Sequence, residues 1–181
     1  MENKFSAAVS LGYATLFISL WLRYMSYAGW IANENVSDIV PIITILGIVL
    51  SISGIFSFYN ADKIDPVLFL IVAAYAISVA LRFMMYPNLP SNLNPAATDG
   101  WIHILVAVVI FYLWFGSLGV KTLRQLFLLG LWLAELGAAL SNWTAATFFT
   151  VIAGYIGLIS AIFAALYFFS TIEKEKESVA S

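Results

Sequence analysis

The sequence predicts an all-α integral membrane protein with six transmembrane helices, and three observations support this fold class. Of the 181 residues, 62% are hydrophobic and only 10% are charged. An average soluble domain is about 45–50% apolar and about 25% charged, so these two values exclude a soluble globular domain. The third observation is that the apolar residues form six long stretches, which leave no room for a separate soluble domain.

Each apolar stretch is long enough for a transmembrane helix, which takes roughly 20 residues. The stretches run Phe5–Trp30, Ile39–Tyr59, Pro66–Tyr86, Trp101–Leu118, Leu123–Asn142 and Thr147–Thr171. A transmembrane barrel strand has only about 10 residues, so this length favours helices. The first stretch is too long for a signal peptide and is predicted to be a retained helix.

Polar and turn-forming residues separate the stretches. Asn33, Glu34 and Asn35 precede the second stretch, and the third begins at Pro66, a residue that the first turn of a helix tolerates. The segment 87–100 before the fourth stretch is the longest connection. We therefore predict a transmembrane pore domain at 1–172 and a charged cytoplasmic tail at 173–181.

The lysines and arginines outside the stretches or at their very ends predict the orientation, because such residues collect on the cytoplasmic side. All of them lie at the two termini, in the second-to-third connection or in the fourth-to-fifth connection. They are Lys4, Lys63, Lys121, Arg124, Lys174 and Lys176. Both termini are therefore predicted to face the cytoplasm, with the protein in the plasma membrane.

Composition and motifs exclude several function classes. The net charge of −2 gives no basic surface for nucleic acid. The chain has one histidine and no cysteine, so no persuasive nucleophile–base pair can form. No phosphate-binding glycine loop or metal-ligand spacing is present. We therefore expect a protein that is not an enzyme and that needs no cofactor or metal.

Glycines in three of the stretches predict close helix packing. Gly47 and Gly54 in the second stretch and Gly130 and Gly137 in the fifth are each seven residues apart, which places each pair on one helix face. This repetition is compatible with a three-plus-three inverted repeat, or with ordinary packing of small residues. The sixth stretch adds Gly154 and Gly157.

Four ionisable residues inside the stretches are candidate functional residues, because charges are costly within a membrane. They are Arg23, Arg82, Glu135 and, near a helix end, His103. The arginines could instead extend their long side chains to the lipid headgroups. Glu135 is too short to do so and must be protonated, paired with a cation or exposed to water.

The last third of the chain resembles a known family. The matching residues are Gly116-Ser117-Leu118, Gln125, Leu131, Asn142 and the run from Ala153 to Ile159. By these residues the chain resembles the acetate uptake transporter family, the small six-helix acetate and succinate permeases of microbes, over most of residues 5–172. It departs from the family at the amino-terminal Asn-Pro-Ala-Pro-Leu-Gly signature, of which only Leu11 and Gly12 remain.

The resemblance implies a hexamer in which each subunit has its own central pore, narrowed by apolar and aromatic side chains. The corresponding constriction residues are Tyr75, Leu131 and either Leu16 or Phe17. Arg23, Arg82 and Glu135 follow three of these positions by seven, seven and four residues, and so share their helix faces. We therefore predict an Arg23–Glu135–Arg82 cluster in an outer pore vestibule, with His103 nearby, that attracts small anions.

The function expected from these features is transport of acetate-like small monocarboxylates, as a channel or a symporter. Since a carboxylate crosses an apolar constriction at high cost, proton linkage through Glu135 or His103 is expected. One alternative is a channel for small neutral solutes such as urea or amides. Another is a non-transporting membrane subunit whose ion pairs only hold the helices together.

Overall fold

The protein is described by a computed structural model that covers residues 6–32, 36–59, 63–85, 95–119 and 122–180. In these ranges the chain forms six α-helices and no strand. The helices are α1 (Ser6–Tyr27), α2 (Val36–Ser57), α3 (Ile64–Met85), α4 (Pro95–Gly116), α5 (Thr122–Thr144) and α6 (Thr147–Ala180). The predicted all-α fold with six long helices is thus confirmed.

Two helices are longer than the sequence predicts. α4 begins at Pro95 instead of Trp101, because a proline is compatible with the first helical turn. Asp99 therefore belongs to a helix and not to a connection. α6 continues to Ala180, so the backbone of the predicted tail is helical up to that residue.

Some of the charges that predict the orientation lie outside the described residues. Lys4 and Lys121 lie there, and so do the side chains of Lys174 and Lys176. Arg124 is expected in the connection between the fourth and fifth helices, but it is a residue of α5 and only 2% of its surface is exposed. The charge of Arg124 therefore does not indicate which side of the membrane is cytoplasmic.

Five of the helices, α2 to α6, are long and apolar enough to cross a membrane. α1 has the same length as α2, 22 residues, but it carries the buried polar residues Thr15, Ser19 and Arg23. These polar residues of α1 face the interior of the protein.

The helices form a closed ring. Consecutive helices pack against each other from α1 to α6, α6 packs against α1, and α1 also contacts α3. Buried side chains of all the helices fill the interior of this ring. Outside it, Ile45, Ile48, Ile52 and Ile55 share one exposed face of α2, as expected for a surface in contact with lipid. The chain is thus a multi-pass membrane protein.

The six predicted packing glycines lie where helices approach closely. Gly47 and Gly54 face α3, and Gly130 and Gly137 face α6. Gly154 and Gly157 face α1. The second helix therefore packs closely against the third, and the fifth packs closely against the sixth. Each of the two glycine pairs faces the helix that follows its own in the chain, which agrees with an inverted repeat. The repeat itself stays a prediction.

Candidate functional site

A buried ion pair joins α1 to α5 through the interior of the ring. Arg23 Nη1 donates to Glu135 Oε1 at 2.6 Å, and Arg23 Nη2 donates to Oε2 at 2.9 Å. The two bonds are the two-pronged contact between a guanidinium and a carboxylate, which is strong and fixes the orientation of both groups. Both side chains are buried, with Arg23 8% and Glu135 1% exposed.

Two further side chains hold the Glu135 carboxylate. His103 Nδ1 lies 2.7 Å from Oε2, and the Tyr24 hydroxyl donates to Oε1 at 2.9 Å. Since an ionised carboxylate only accepts hydrogen bonds, Nδ1 carries the proton of the histidine contact. The other ring nitrogen, Nε2, lies 3.3 Å from the Tyr27 hydroxyl.

Tyr75 of α3 completes this site. Its ring centre lies 3.9 Å from the Arg23 guanidinium carbon, and its ring packs 5.4 Å from that of His103. We call Arg23, Tyr24, Tyr75, His103 and Glu135 the Glu135 cluster. Its members come from α1, α3, α4 and α5, so the cluster occupies the middle of the helix ring.

The predicted constriction residues lie next to this cluster. Leu16 and Leu131 are completely buried and Tyr75 is 8% exposed, all within one apolar core. Phe17 is only half-buried and packs against the edge of that core. Of the two alternatives, Leu16 is the one that points into the interior, and its role in a constriction stays a prediction.

Arg82 does not bind Glu135, which corrects the predicted three-residue cluster. Its Nη1 forms an ion pair with Asp99 of α4. The reason is the early start of α4, which brings a second carboxylate close to the end of α3. The two arginines and the two carboxylates then cancel in formal charge when His103 is neutral. These four side chains therefore do not carry the net positive charge predicted for the vestibule, and its attraction of anions stays a prediction.

A cavity of about 100 Å³ lies between α1, α2 and α3, beside the Glu135 cluster. Its lining is mainly aliphatic and aromatic, with Arg23 as its charged member. The lining residues are Arg23, Ser26, Tyr27, Ile39, Val40, Ile43, Tyr75 and Val79. Arg23 Nε is buried and has no acceptor among the residues that the structure describes. The cavity thus combines apolar walls with a cationic group that retains a donor.

A second buried cluster lies toward the other end of α1, α3 and α5. The Tyr13 hydroxyl donates to Asp65 Oδ1 at 2.6 Å, and Arg124 Nη1 lies 3.3 Å from the same oxygen. Tyr167 of α6 packs against Tyr13 with ring centres 4.8 Å apart. We call Tyr13, Asp65, Arg124 and Tyr167 the Asp65 cluster.

The Asp65 cluster is not predicted from the sequence, because Asp65 and Arg124 are expected in connections. Both residues lie in the first turn of a helix, where the apolar pattern has barely begun. A usable signal exists in the spacing, since Asp65 precedes Tyr75 by ten residues and Arg124 precedes Glu135 by eleven. The eleven-residue spacing is close to three helical turns and places Arg124 and Glu135 on one face, whereas the ten-residue spacing places Asp65 about 80° around the helix from Tyr75.

The comparisons with known proteins concern the fold. No family model and no curated protein matches the sequence. Among solved structures, the bacterial acetate channel SatP matches with a TM-score of 0.81 and 19% identity, over 93% of each chain. The resemblance found from the sequence is thereby confirmed for the fold. The chain therefore has the six-helix fold of the bacterial acetate channel SatP.

Proposed function

We propose that this protein is a membrane channel or transporter for acetate-like small monocarboxylates. The observation that carries the proposal is the placement of buried Arg23 beside an apolar cavity, within a fold shared with an acetate channel. The guanidinium suits a carboxylate, and the aliphatic walls suit a short alkyl group. The cavity volume of about 100 Å³ is several times the space that one water needs, which limits the substrate to a few heavy atoms.

Proton linkage follows from the balance of charge. Glu135 already neutralises Arg23, so an incoming carboxylate adds an uncompensated negative charge to a buried site. A proton that enters with the anion removes this excess charge. Glu135 and His103 are the groups placed to accept it, because their side chains are joined at 2.7 Å. We therefore propose entry of the anion together with a proton.

The test is uptake of labelled acetate by liposomes that contain the purified protein. Arg23→Gln is expected to lower uptake about tenfold or more, because it removes the cation that borders the cavity. Lys63→Gln is the control, since Lys63 is an exposed cation outside the cavity and the Glu135 cluster. Uptake by the unmodified protein no greater than in empty liposomes would overturn the proposal.

A channel for neutral solutes is the second candidate, and the cancelling formal charges of the two ion pairs favour it. Swelling of the same liposomes in urea or acetamide distinguishes the two functions. A neutral-solute channel gives rapid swelling that Arg23→Gln leaves unchanged. A monocarboxylate transporter gives acetate uptake and no such swelling.

Assembly and orientation are proposed from the family resemblance. We propose a hexamer in the plasma membrane with both termini in the cytoplasm. Crosslinking in native membranes tests the hexamer by the number of subunits in the largest product. Protease or tag accessibility from each side of sealed vesicles tests the orientation, and termini reached from outside the cell would overturn it.

A further inference from the structure

The same three helices build both charged clusters. α1 contributes Tyr13 and Arg23, which are ten residues apart. α3 contributes Asp65 and Tyr75, again ten apart, and α5 contributes Arg124 and Glu135, eleven apart. At a rise of 1.5 Å per residue, the two clusters are separated by about 15 Å along the helices.

Each cluster takes an arginine, a carboxylate and a tyrosine from these helices, but the helices exchange roles. In the Glu135 cluster, α1 supplies the arginine, α3 the tyrosine and α5 the carboxylate. In the Asp65 cluster, α1 supplies the tyrosine, α3 the carboxylate and α5 the arginine. The two ends of the interior therefore carry the same chemical groups.

The interior between the clusters is mainly apolar, with the hydroxyls of Thr15 and Ser19 as the buried polar groups that α1 adds to it. Completely or almost completely buried side chains of the three helices fill it, including Leu16, Leu20, Phe69, Val72, Leu128 and Leu131. An ion in this section would lose its hydration without gaining a partner, which is costly. A charged substrate therefore needs a compensating group at each end of the section.

We propose that the Asp65 cluster is a second carboxylate site of the same pathway and takes up the substrate as a separated proton and anion. The acid transfers its proton to the Asp65 carboxylate, and the resulting anion binds the Arg124 guanidinium in place of Asp65. No net charge enters the interior, because a neutral acid converts the ion pair between Arg124 and Asp65 into an ion pair between Arg124 and the substrate anion. This inference rests on the proposed monocarboxylate transport.

The geometry of the Asp65 cluster suits this exchange. The Arg124 contact to Asp65 Oδ1 is 3.3 Å, longer than the 2.6 Å contact between Arg23 and Glu135. The Tyr13 hydroxyl holds Oδ1 at 2.6 Å and keeps the carboxyl group in place when Arg124 turns to the substrate. Tyr13 and Arg124 contact Asp65 directly, and Tyr167 packs against Tyr13.

The decisive variant replaces the pair by neutral groups of similar shape, Asp65→Asn with Arg124→Gln. The amide pair can still hydrogen-bond and holds α3 to α5, but it offers neither a proton acceptor nor a cation. We expect a folded protein whose acetate uptake falls about tenfold or more. Asp38→Asn, an exposed carboxylate on α2, is the control and is expected to leave uptake unchanged.

A second measurement leaves both clusters intact. The chain has no cysteine, so Leu128→Cys introduces a single thiol one turn from Arg124, at a position that is 0% exposed. If the Asp65 cluster opens to admit substrate, a small water-soluble thiol reagent labels this cysteine and acetate slows the labelling. A cysteine that is never labelled would overturn the inference even if the neutral pair failed to fold.

The outcomes separate this inference from the proposed function. Acetate uptake by the unmodified protein, with equal uptake by the folded neutral-pair variant, would overturn the inference alone and make the Asp65 cluster a structural contact. Absence of uptake by the unmodified protein would overturn the proposed function and the inference with it. Reduced uptake in the variant but not in Asp38→Asn supports both.

Discussion

Arg23 and Glu135 are 112 residues apart in the sequence and form two hydrogen bonds of 2.6 and 2.9 Å in the interior of the helix ring. The pair joins α1 to α5, which are not consecutive in the ring. Because the contact crosses the interior, it closes the space that a solute would use. Passage at this level therefore requires the two side chains to separate or to exchange partners.

Glu135→Gln is expected to destabilise the protein strongly, because it leaves the buried Arg23 guanidinium without its counter-charge. Loss of one partner from a buried ion pair costs about 3–5 kcal/mol. The measurement is thermal unfolding in detergent. Asp99→Asn makes the same chemical change in the half-buried pair with Arg82 and is expected to cost less than about 1 kcal/mol. Equal losses in the two variants would contradict the buried pair.

His103→Phe is expected to weaken the coupling between acetate and protons more than it weakens the fold. The phenyl ring retains the packing on Tyr75, but it loses the 2.7 Å contact with Glu135. A pH-sensitive dye inside the liposomes measures proton entry, and labelled acetate measures anion entry. We expect proton entry per acetate to fall. An unchanged ratio would exclude His103 from the proton step.

Tyr75→Ala is expected to broaden the range of substrates. Tyr75 lines the cavity and covers the Arg23 guanidinium, so its removal enlarges the site beside the cation. Uptake of butyrate relative to acetate should rise by about tenfold, as expected when a pocket admits additional methylene groups. Tyr112→Ala on the exposed side of α4 is the matched control and should keep the original ratio. If both variants keep it, Tyr75 does not limit substrate size.

Gly154→Ala is expected to destabilise the contact between α6 and α1. The added methyl group would overlap the backbone of Ala28, which cannot move away as a flexible side chain could. Such overpacking costs about 1–3 kcal/mol. Gly116→Ala is the control, because its methyl group would meet no atom within 4 Å. Thermal unfolding should separate the two, and similar melting temperatures would contradict the close α1–α6 contact.

The sequence was sufficient to predict the helices and one of the ion pairs. Long apolar stretches gave the six helices because the bilayer requires that length. Arg23 and Glu135 could be matched because each shares a helix face with a constriction residue implied by the family resemblance, and a short buried carboxylate needs a cation. His103 of α4 was predicted only to lie near the cluster. Its contact with Glu135 could not be predicted, because the face on which a residue lies does not determine which helix packs against that face.

The partners of Arg82 and Arg124 could not be predicted from hydropathy. Asp65 lies in the first turn of α3 and Asp99 is the fifth residue of α4, close to helix starts, where polar residues are common in both helices and connections. Whether such a residue is buried depends on which helices meet there. That arrangement is a property of the ring and not of any one stretch, so the Asp65 cluster became visible only in three dimensions.

The polar character of α1 has a consequence for how the protein is made. A charged residue adds to the cost of membrane insertion, by about 2.5–3.5 kcal/mol at the centre of a helix and by less toward its ends, and Arg23 lies in the carboxyl-terminal half of α1. Arg23 is synthesised long before Glu135, so α1 enters the bilayer without the group that neutralises it. The N-terminal helix thus acquires its final environment only after the fifth helix has left the ribosome. Truncated chains that end before α5 should leave α1 poorly integrated, and they should be cleared by membrane quality control.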